Sequence, residues 1–301
     1  MSKGDKKTTG EILLDIIERS AYLFQDLAGV AWSRIDAECH QVRSTTFRRH
    51  IQRKFYHAEG KAPHAQAVQD AIDQAEAKAL FECAYPTDVH VRCIYFDGKI
   101  FIDIGNEAHT VIEVSKDGFK EGTLGHTFFC RPKGIEALPL PKDPKIDLLR
   151  EFLNFENEAD FRLMVAWALA ALHPGIAAPI LILQGEQGSA KSTVSKVLRA
   201  LVDPNTAPIR SAPKDEQGLV IMGENARVIC LDNLSGMKTW LSDALCRVCT
   251  GGGFSARKLY TDNDEKIFQI RRPIILNGID DIATRGDLLD RSIIINLPTI
   301  S

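Results

Sequence analysis

PILILQGEQGSAKSTVSKVL, residues 179–198, is the stretch of sequence that decides the fold of this chain. Its first part, residues 179–184, is an apolar run that predicts a buried strand. GEQGSAKST follows at residues 185–193, and the apolar residues after it return at helical spacing. A strand, a glycine-rich loop and a helix in this order are the context that a phosphate-binding loop requires. The sequence therefore predicts such a loop at residues 185–193.

The residue types in this loop suit the binding of ATP with Mg2+. Gly185 and Gly188 let the backbone wrap with its N–H groups pointing inward, and the next helix adds the positive end of its dipole. Lys191 would bring a positive charge to the β- and γ-phosphates, and Ser192 would offer its hydroxyl to Mg2+. The candidate nucleotide-binding residues are Gly185, Glu186, Gln187, Gly188, Ser189, Ala190, Lys191, Ser192 and Thr193.

One position departs from the usual loop pattern GxxxxGK[ST]. Ala190 stands where the last glycine is usual. Alanine is the smallest replacement for glycine, and it is tolerated there if its φ angle is negative. The loop assignment is therefore kept, on the condition of a negative φ at Ala190.

An aspartate ends the next apolar strand. The run RVICLDN, residues 227–233, brings Asp232 to the carboxyl end of a strand, where parallel sheets place their ligands. Asp232 is predicted to hold Mg2+ directly or through water; a core strand that merely ends in aspartate is the alternative. Because the following residue, Asn233, is an amide that cannot accept a proton from water, turnover is predicted to be slow or to use another acid such as Glu216 or Glu224.

Two further strands carry candidate catalytic residues. RRPIILNG, residues 271–278, supplies Asn277, which can orient the attacking water, although Asn277 and Gly278 could instead form only a turn. LLDRSIIINLP, residues 288–298, places Arg291 before another apolar strand, as a candidate finger for the phosphate of a neighbouring subunit. The candidate catalytic residues are Lys191, Asp232, Asn277 and Arg291, and the candidate metal ligands are Ser192 and Asp232.

The first half of the chain predicts a smaller α+β domain. Helices are predicted at residues 10–28, after Ser44–Thr46, and at residues 65–80. From residue 89 the hydrophobic period changes to two, and a turn at Asp97–Gly98 predicts a β-hairpin. The runs VIEVS and HTFFCR are predicted to extend this sheet.

A proline-rich stretch separates the two halves. Residues 132–144 hold four prolines and a glycine, which favours an extended linker. A helix is predicted at residues 146–172, and strands then alternate with helices as in a parallel sheet. The predicted organisation is an α+β domain of unknown binding role at residues 1–135, a linker at 136–146, and an ATPase domain at 147–301. The fold class is an α/β P-loop NTPase, a parallel sheet flanked by helices, preceded by the smaller α+β domain.

Composition supports a globular, cytoplasmic protein. The 301 residues are 45% hydrophobic and 26% charged, and the net charge of −3 gives no overall basic field. No apolar run reaches the roughly 18 residues of a membrane helix, so no membrane partner is expected. The seven cysteines lack a framework spacing, which fits reduced thiols. Cys246 and Cys249 form a lone CxxC, for which packing on a helix is favoured over metal or redox chemistry.

The strongest local basic patch lies at residues 43–61. One acid, Glu59, opposes its basic residues, and apolar residues recur through it at helical spacing. Two interpretations remain open, a solvated amphipathic helix and a nucleic-acid contact. The basic residues are Arg43, Arg48, Arg49, Arg53, Lys54 and Lys61.

The order of these elements resembles that of a known family. Residues 185–193, Asp232, the segment TGGGFSARKLYTD at 250–262, Asn277 and Arg291 resemble superfamily 3 replicative helicases of the AAA+ class. More closely, they resemble the virulence-associated and phage-type ATPases of mobile elements, over about residues 147–300. The resemblance implies a hexameric ring with ATP bound between subunits.

The same resemblance implies a pore hairpin that grips single-stranded DNA. Arg257 and Lys258 match its basic residues, and Tyr260 is placed to stack on bases. A surface hairpin with solvated charges is the alternative, because three acids, Asp262, Asp264 and Glu265, follow the basic pair.

Two functions follow from the sequence. The first is an ATP-driven translocase or helicase on single-stranded DNA in phage or mobile-element replication, which Arg291 and Lys258 favour. The alternative, which Asn233 favours, is a nucleotide-dependent assembly or regulatory switch with little hydrolysis and no translocation. Relatives usually continue into further helices, whereas this chain stops three residues after Pro298, which leaves open that it is truncated at its C-terminus.

Overall fold

A computed structural model describes residues 7–123, 128–143, 145–257, 265–278 and 282–300. Contacts divide the chain into two compact units. The first unit comprises the described parts of Met1–His90 and Leu124–Arg131, and the second comprises those of Val91–Thr123 and Pro132–Ser301. No helix in these described ranges is long and apolar enough to cross a membrane.

The first unit combines three helices with a small antiparallel sheet in the order β1-β2-β3. Its core is formed by apolar residues of all three helices, among them Leu13, Phe47, Ile51, Phe55 and Ile72. The elements are α1 (Thr9–Ser20), β1 (Tyr22–Gln25), β2 (Ala31–Ile35), β3 (Glu38–Gln41), α2 (Thr45–Glu59) and α3 (Ala65–Phe81).

The helices predicted after Ser44 and at residues 65–80 are confirmed as α2 and α3. Ser44 starts α2 because its side chain accepts a hydrogen bond from the Phe47 N–H, as an N-cap serine should. The helix predicted at residues 10–28 is wrong beyond Ser20. The chain becomes extended at Ala21 and enters β1, which pairs with β2 and buries Phe24. Long-range strand pairing has overridden the helical spacing of the apolar residues.

The second unit holds an antiparallel sheet, a parallel sheet and a separate hairpin. The strand orders are β4-β5-β6-β7 for the antiparallel sheet, β13-β8-β12-β9 for the parallel sheet and β10-β11 for the hairpin. The elements are β4 (Cys93–Phe96), β5 (Lys99–Asp103), β6 (Thr110–Ser115), β7 (Gly118–Thr123), a 3-10 helix (Ile146–Glu151), α4 (Glu158–Leu172), β8 (Ile180–Gln184), α5 (Lys191–Val202), α6 (Glu216–Glu224), β9 (Ile229–Leu234), α7 (Thr239–Thr250), β10 (Gly253–Arg257), β11 (Glu265–Gln269), β12 (Ile274–Gly278), α8 (Gly286–Leu289) and β13 (Ser292–Asn296).

The predicted hairpin at Asp97–Gly98 is confirmed. Phe96 pairs with Lys99 across this two-residue turn, and both turn residues have positive φ, as a type I′ turn requires. The described part of the run HTFFCR, residues 128–131, does not extend the sheet, however. β7 at Gly118–Thr123 takes that place, while Phe129 bridges to His90 within the first unit.

The division into units differs from the predicted boundary at residues 136–146. The antiparallel sheet belongs to the second unit, where Arg92, with no exposed surface, donates to the carbonyl oxygens of Asp103 and Glu136 at 3.0 and 2.8 Å. The predicted linker is itself hydrogen-bonded, since Leu138 N–H donates to Ile104 O at 2.8 Å. Residues 135–138 of this proline-rich sequence therefore pack against other parts of the second unit.

The parallel sheet is the core of the second unit. Ile180, Leu181, Ile182 and Leu183 of β8 have no exposed surface, as expected for a strand covered on both faces. The segment around Arg210 adds a parallel bridge along β9, through Arg210 N–H to Cys230 O and Asp232 N–H to Arg210 O at 3.0 and 2.9 Å.

The helix predicted at residues 146–172 is interrupted. The 3-10 helix ends at Glu151, and α4 begins after Asn157, whose side chain accepts hydrogen bonds from the N–H groups of Ala159 and Asp160. This N-cap gives α4 its own start, so residues 152–157 form a loop.

Candidate nucleotide-binding site

The candidate loop, Asp232 and Asn277 are brought together at the carboxyl end of the parallel strands. Residues 185–193 follow β8, Asp232 lies near the end of β9, and Asn277 near the end of β12. Because these strands are parallel and hydrogen-bonded in the order β8-β12-β9, their carboxyl ends lie close together. This is where open α/β sheets bind ligands.

The start of the loop needs glycine. Gly185 has a φ of 147°, and a Cβ built on it would lie 2.6 Å from Leu297 O and 2.7 Å from Ser189 Oγ. Gly188 also has positive φ. The Ser189 hydroxyl, which is buried, donates to Glu186 O at 2.9 Å and fixes the turn between these glycines.

The condition of a negative φ at Ala190 is not met. Ala190 has φ 60° and ψ 23°, the left-handed conformation, and it caps the N-terminus of α5. The usual glycine takes this conformation without penalty, whereas an L-residue there loses about 1–2 kcal/mol. The loop therefore keeps the glycine-type backbone while carrying a methyl group that strains it.

Ala190→Gly is expected to raise the free energy of unfolding by about 0.5–1 kcal/mol, because relief of strain exceeds the added freedom of glycine in the unfolded chain. Urea denaturation followed by circular dichroism measures the change. Ala200→Gly is the matched control, since Ala200 is exposed in right-handed α5. It should lose about 1 kcal/mol. Equal losses at both positions would contradict the left-handed assignment.

Lys191 is half-buried and folds back onto the loop. Its Nζ donates to Gly185 O at 2.7 Å, to Glu186 O at 2.8 Å and to Ser189 Oγ at 3.3 Å. The ammonium group thus lies within the loop, bonded to neutral oxygens. A phosphate oxygen carries more negative charge than these acceptors and would compete with them for this donor.

Ser192 and Asp232 are in direct contact. The Ser192 hydroxyl donates to Asp232 Oδ1 at 2.8 Å, although the two residues are forty positions apart in the sequence. A hydroxyl and a carboxylate are hard oxygen donors, which suit Mg2+. In the described ranges, no group of three or more His, Cys, Asp or Glu residues is spaced to hold a metal ion. A magnesium ion here would complete its shell with phosphate oxygens and water, as Mg2+ commonly does.

Asn277 is buried and holds neighbouring elements together. Its Oδ1 accepts from Asn233 N–H at 3.0 Å, and its Nδ2 donates to Ser195 Oγ at 2.9 Å, which joins β12 to β9 and α5. Asn277 and Gly278 lie in β12 rather than in a turn, and a Cβ on Gly278 would lie 2.4 Å from Leu234 O. The predicted role of Asn277 at an attacking water stays a prediction.

The two alternative acids lie away from the carboxyl end of the strands. Glu216 forms an ion pair with Arg247 at 2.5 Å, toward the end of α7. Glu224 ends α6, shortly before β9 begins at the amino-terminal end of the strands. Asn233, in left-handed conformation with φ 54°, is exposed beside Asp232. The structure therefore brings no substitute carboxylate from α6 to the candidate site.

Arg291 lies at the amino-terminal end of the parallel strands, whereas the loop lies at their carboxyl end. Its carbonyl oxygen accepts from Ile180 N–H at 2.8 Å, at the beginning of β8. The length of β8, at about 3.3 Å per residue, separates Arg291 from the loop of its own chain. The guanidinium is exposed, and Nη1 donates to Asp287 O at 2.7 Å.

A family model, described as an actinomycete integrative conjugative element replication protein, matches residues 146–300. The chain belongs to this family. The match covers just over half of the chain and includes the loop, Asp232, Asn277 and Arg291. The family supports the predicted link to mobile-element replication.

Solved structures with partial similarity to this replication protein are distant in sequence. The apo C-terminal region of NrS-1 has 12% identity and a TM-score of 0.49, over 98% of this chain and 62% of that chain. NtrX from Brucella abortus in complex with ADP has 16% identity and a TM-score of 0.32, over 51% and 40%. The chain thus spans less than two thirds of either structure. No curated protein gave a significant match.

Asn154 contacts the candidate loop, which the sequence did not reveal. Its Nδ2 donates to Ser189 O at 2.9 Å and to Pro298 O at 2.7 Å, so both of its amide hydrogens are used. The chain after β13 also contacts the loop, through Ile300 N–H to Gly188 O at 3.4 Å. Asn154 therefore positions the loop against residues 298–300. An isolated asparagine in a loop carries no sequence signal for such a role.

Arg257, one of the three candidate DNA-binding residues, is the last residue of β10. The antiparallel partners β10 and β11 begin after Gly252, and their last backbone pair is Arg257 with Glu265. Lys258 and Tyr260 lie outside the described residues. Their contact with DNA stays a prediction.

The CxxC of this replication protein is part of its core, as the favoured interpretation predicted. Cys246 and Cys249 are buried on α7, and Cys249 Sγ donates to Ala178 O at 3.0 Å. Burial raises the pKa of Cys249 to about 11 and also raises that of Cys246. A raised pKa disfavours the thiolate that metal binding and redox chemistry need.

Proposed function

We propose that this replication protein binds ATP and Mg2+ at residues 185–193 and hydrolyses the ATP to drive movement on single-stranded DNA. The observation that carries the proposal is the contact between Ser192 Oγ and Asp232 Oδ1 at 2.8 Å, next to a glycine loop that opens a helix. A hydroxyl at the start of α5 and a carboxylate from β9 are the two protein ligands that such sites use for magnesium. The membership in a family of element replication proteins agrees with this activity.

Each residue has a distinct task in the proposed site. The loop N–H groups and the positive end of α5 bind the phosphates. The Lys191 ammonium group gives up its hydrogen bonds to loop oxygens and donates to phosphate oxygens instead. Bound Mg2+ would neutralise charge on the transferred phosphoryl group. Ser192 and Asp232 orient that ion, and Asn277 holds the end of β12 against β9 beside it.

Hydrolysis is proposed to occur between two subunits. Arg291 is exposed at the end of the strands opposite its own loop, so a phosphate in that loop is beyond its reach. A second copy in a ring, with six subunits as the family resemblance implies, would bring its Arg291 to this loop as a finger.

A nucleotide-dependent switch is the second candidate, and Asn233 favours it. The residue after Asp232 is an exposed amide, and its N–H is bonded to Asn277. Such a site binds nucleotide without a carboxylate base at that position.

Steady-state ATP turnover with and without an unstructured single-stranded oligonucleotide separates the two functions. A motor is expected to be stimulated by the strand, and turnover that is negligible under both conditions would support the switch.

Lys258→Ala tests the proposed hairpin. The variant should keep basal ATP turnover but bind single-stranded DNA more weakly, because one phosphate contact is lost. The slope of log affinity against log salt should become shallower by about 0.7. Fluorescence anisotropy of a labelled strand at several salt concentrations measures that slope. An unchanged affinity and slope would exclude Lys258 from the DNA contact.

A further inference from the structure

The basic segment at residues 43–61 separates into two parts in the structure. Part of its charge is used inside the first unit, where Arg43 pairs with Asp73 at 3.0 Å and also with Glu76 of α3. Arg48 likewise donates to Gln69 at 2.6 Å. Arg48 of α2 and Arg43, which precedes α2, thus both bind to α3 and have a structural role.

The other part is an exposed stripe of Arg49, Arg53 and Tyr56, here called the α2 stripe. These residues are four and three positions apart, so they share one face of the helix. The opposite face, which carries Phe47 and Ile51, is buried in the core. Tyr56 keeps 56% of its surface exposed and lies edge-on to the His57 ring at 6.2 Å.

The charge of the α2 stripe is unopposed in the described part of the chain. Within those residues, neither the Arg49 nor the Arg53 side chain has a hydrogen bond or ion pair. The only acid in α2 is Glu59 at its last position, while Asp73 and Glu76 face Arg43. Two unpaired guanidinium groups beside an exposed aromatic ring form a surface that is complementary to a polyanion with stacking groups.

We propose that the α2 stripe binds single-stranded DNA, with Arg49 and Arg53 on phosphates and Tyr56 stacked on an unpaired base. Arginine contacts to phosphate and aromatic stacking are the two sources of sequence-independent affinity for single strands. A membrane surface fits poorly, because a membrane-bound helix inserts its apolar face. In α2 that face is already buried in the core.

This inference concerns the first unit and does not depend on ATP hydrolysis in the second. It gives the protein a second DNA contact besides the proposed hairpin, and one that needs no nucleotide. Residual binding by Lys258→Ala is therefore expected to depend on Arg49 and Arg53.

The test measures the binding of single-stranded DNA to the full chain without nucleotide. Fluorescence anisotropy of a labelled strand gives the affinity at several salt concentrations. Arg49→Ala/Arg53→Ala should make the salt slope shallower by about 1.4, from about 0.7 per lost phosphate contact. Arg49→Lys/Arg53→Lys should keep most of the slope because it keeps the charge. Arg19→Ala is the matched control, since Arg19 is exposed on α1 of the same unit. It should leave binding unchanged.

Tyr56 provides an independent readout. Tyr56→Ala should weaken single-strand binding about 5-fold or more without changing the salt slope, whereas Tyr56→Phe should bind like the parent because it keeps the ring. Binding to duplex DNA of the same sequence should not respond to Tyr56→Ala.

Three results would overturn the proposal: a parent protein that does not bind the strand, an alanine double variant with the parental slope, or an effect of the stripe variants on duplex alone. Circular dichroism and thermal melting establish that each variant is folded. If the alanine double variant is not folded, the comparison of Tyr56→Ala with Tyr56→Phe keeps the test decisive, because equal affinities of these two variants would also overturn the proposal. Basal ATP turnover should be parental in every stripe variant. Loss of that turnover in Lys191→Ala, with strand binding by the α2 stripe retained, separates this proposal from the proposed function.

Discussion

Lys191→Ala is expected to lower the rate of ATP hydrolysis by at least about 100-fold. This is the usual effect of removing one preorganised hydrogen-bond donor that stabilises charge in the transition state. In the structure the Lys191 ammonium lies within 2.7–3.3 Å of three loop oxygens, so it already occupies the place where phosphates would bind. Phosphate release from ATP in the presence of Mg2+ measures the rate.

Lys196→Ala is the matched control for that variant. Lys196 is exposed on α5, so the control removes the same charge from the same helix. It should retain the parental rate. Because Lys191 also supports the loop through its hydrogen bonds, the melting temperature of both variants has to be compared with that of the parent. A folded Lys191→Ala protein with parental turnover would contradict the loop assignment.

Arg291→Ala is expected to lose about 1,000-fold or more in ATP turnover, as loss of an arginine finger does. The structure gives the reason to expect action on a neighbouring subunit, since Arg291 immediately precedes β13, at the end of the strands that lies away from its own loop. Arg162→Ala serves as the charge control, because Arg162 is exposed on α4, and should remain active.

Mixing the two inactive variants tests the shared site. An interface between the intact loop of an Arg291→Ala subunit and the intact arginine of a Lys191→Ala subunit would be complete. The mixture should therefore recover turnover above the sum of its components. Subunit exchange is shown first by energy transfer between labelled subunits, and mixtures of parent with each variant calibrate how activity follows the number of intact interfaces. No recovery in a calibrated, exchanging mixture would exclude the finger in trans.

The sequence predicted the elements whose information is local. Apolar runs followed by a glycine loop predicted β8 and α5, and Asp97–Gly98 predicted its hairpin, because turn and helix chemistry reside in neighbouring residues. The sequence also predicted Ser192 and Asp232 as ligands of one metal ion, and their contact agrees with this, because the carboxyl ends of parallel strands lie close together.

The remaining features depend on contacts between distant parts of the chain. β1 has helical spacing of its apolar residues but becomes a strand by pairing with β2, and the strain at Ala190 depends on a backbone angle. In the sequence Arg92 looks like an ordinary charged residue. In the structure its buried hydrogen bonds join Asp103 of β5 to Glu136 within the second unit. Asn154 likewise contacts the loop only because folding brings Ser189 and Pro298, which are distant in the sequence, within hydrogen-bond distance of its side chain.

The most direct test of the central claim is phosphate release by the purified parent protein, measured over a range of ATP concentrations with Mg2+ and again with the metal chelated. An ATP site built from the loop, Ser192 and Asp232 predicts saturable release that stops on chelation and returns when Mg2+ is restored. Release that is absent at every ATP concentration, or that continues unchanged without the metal, would contradict it.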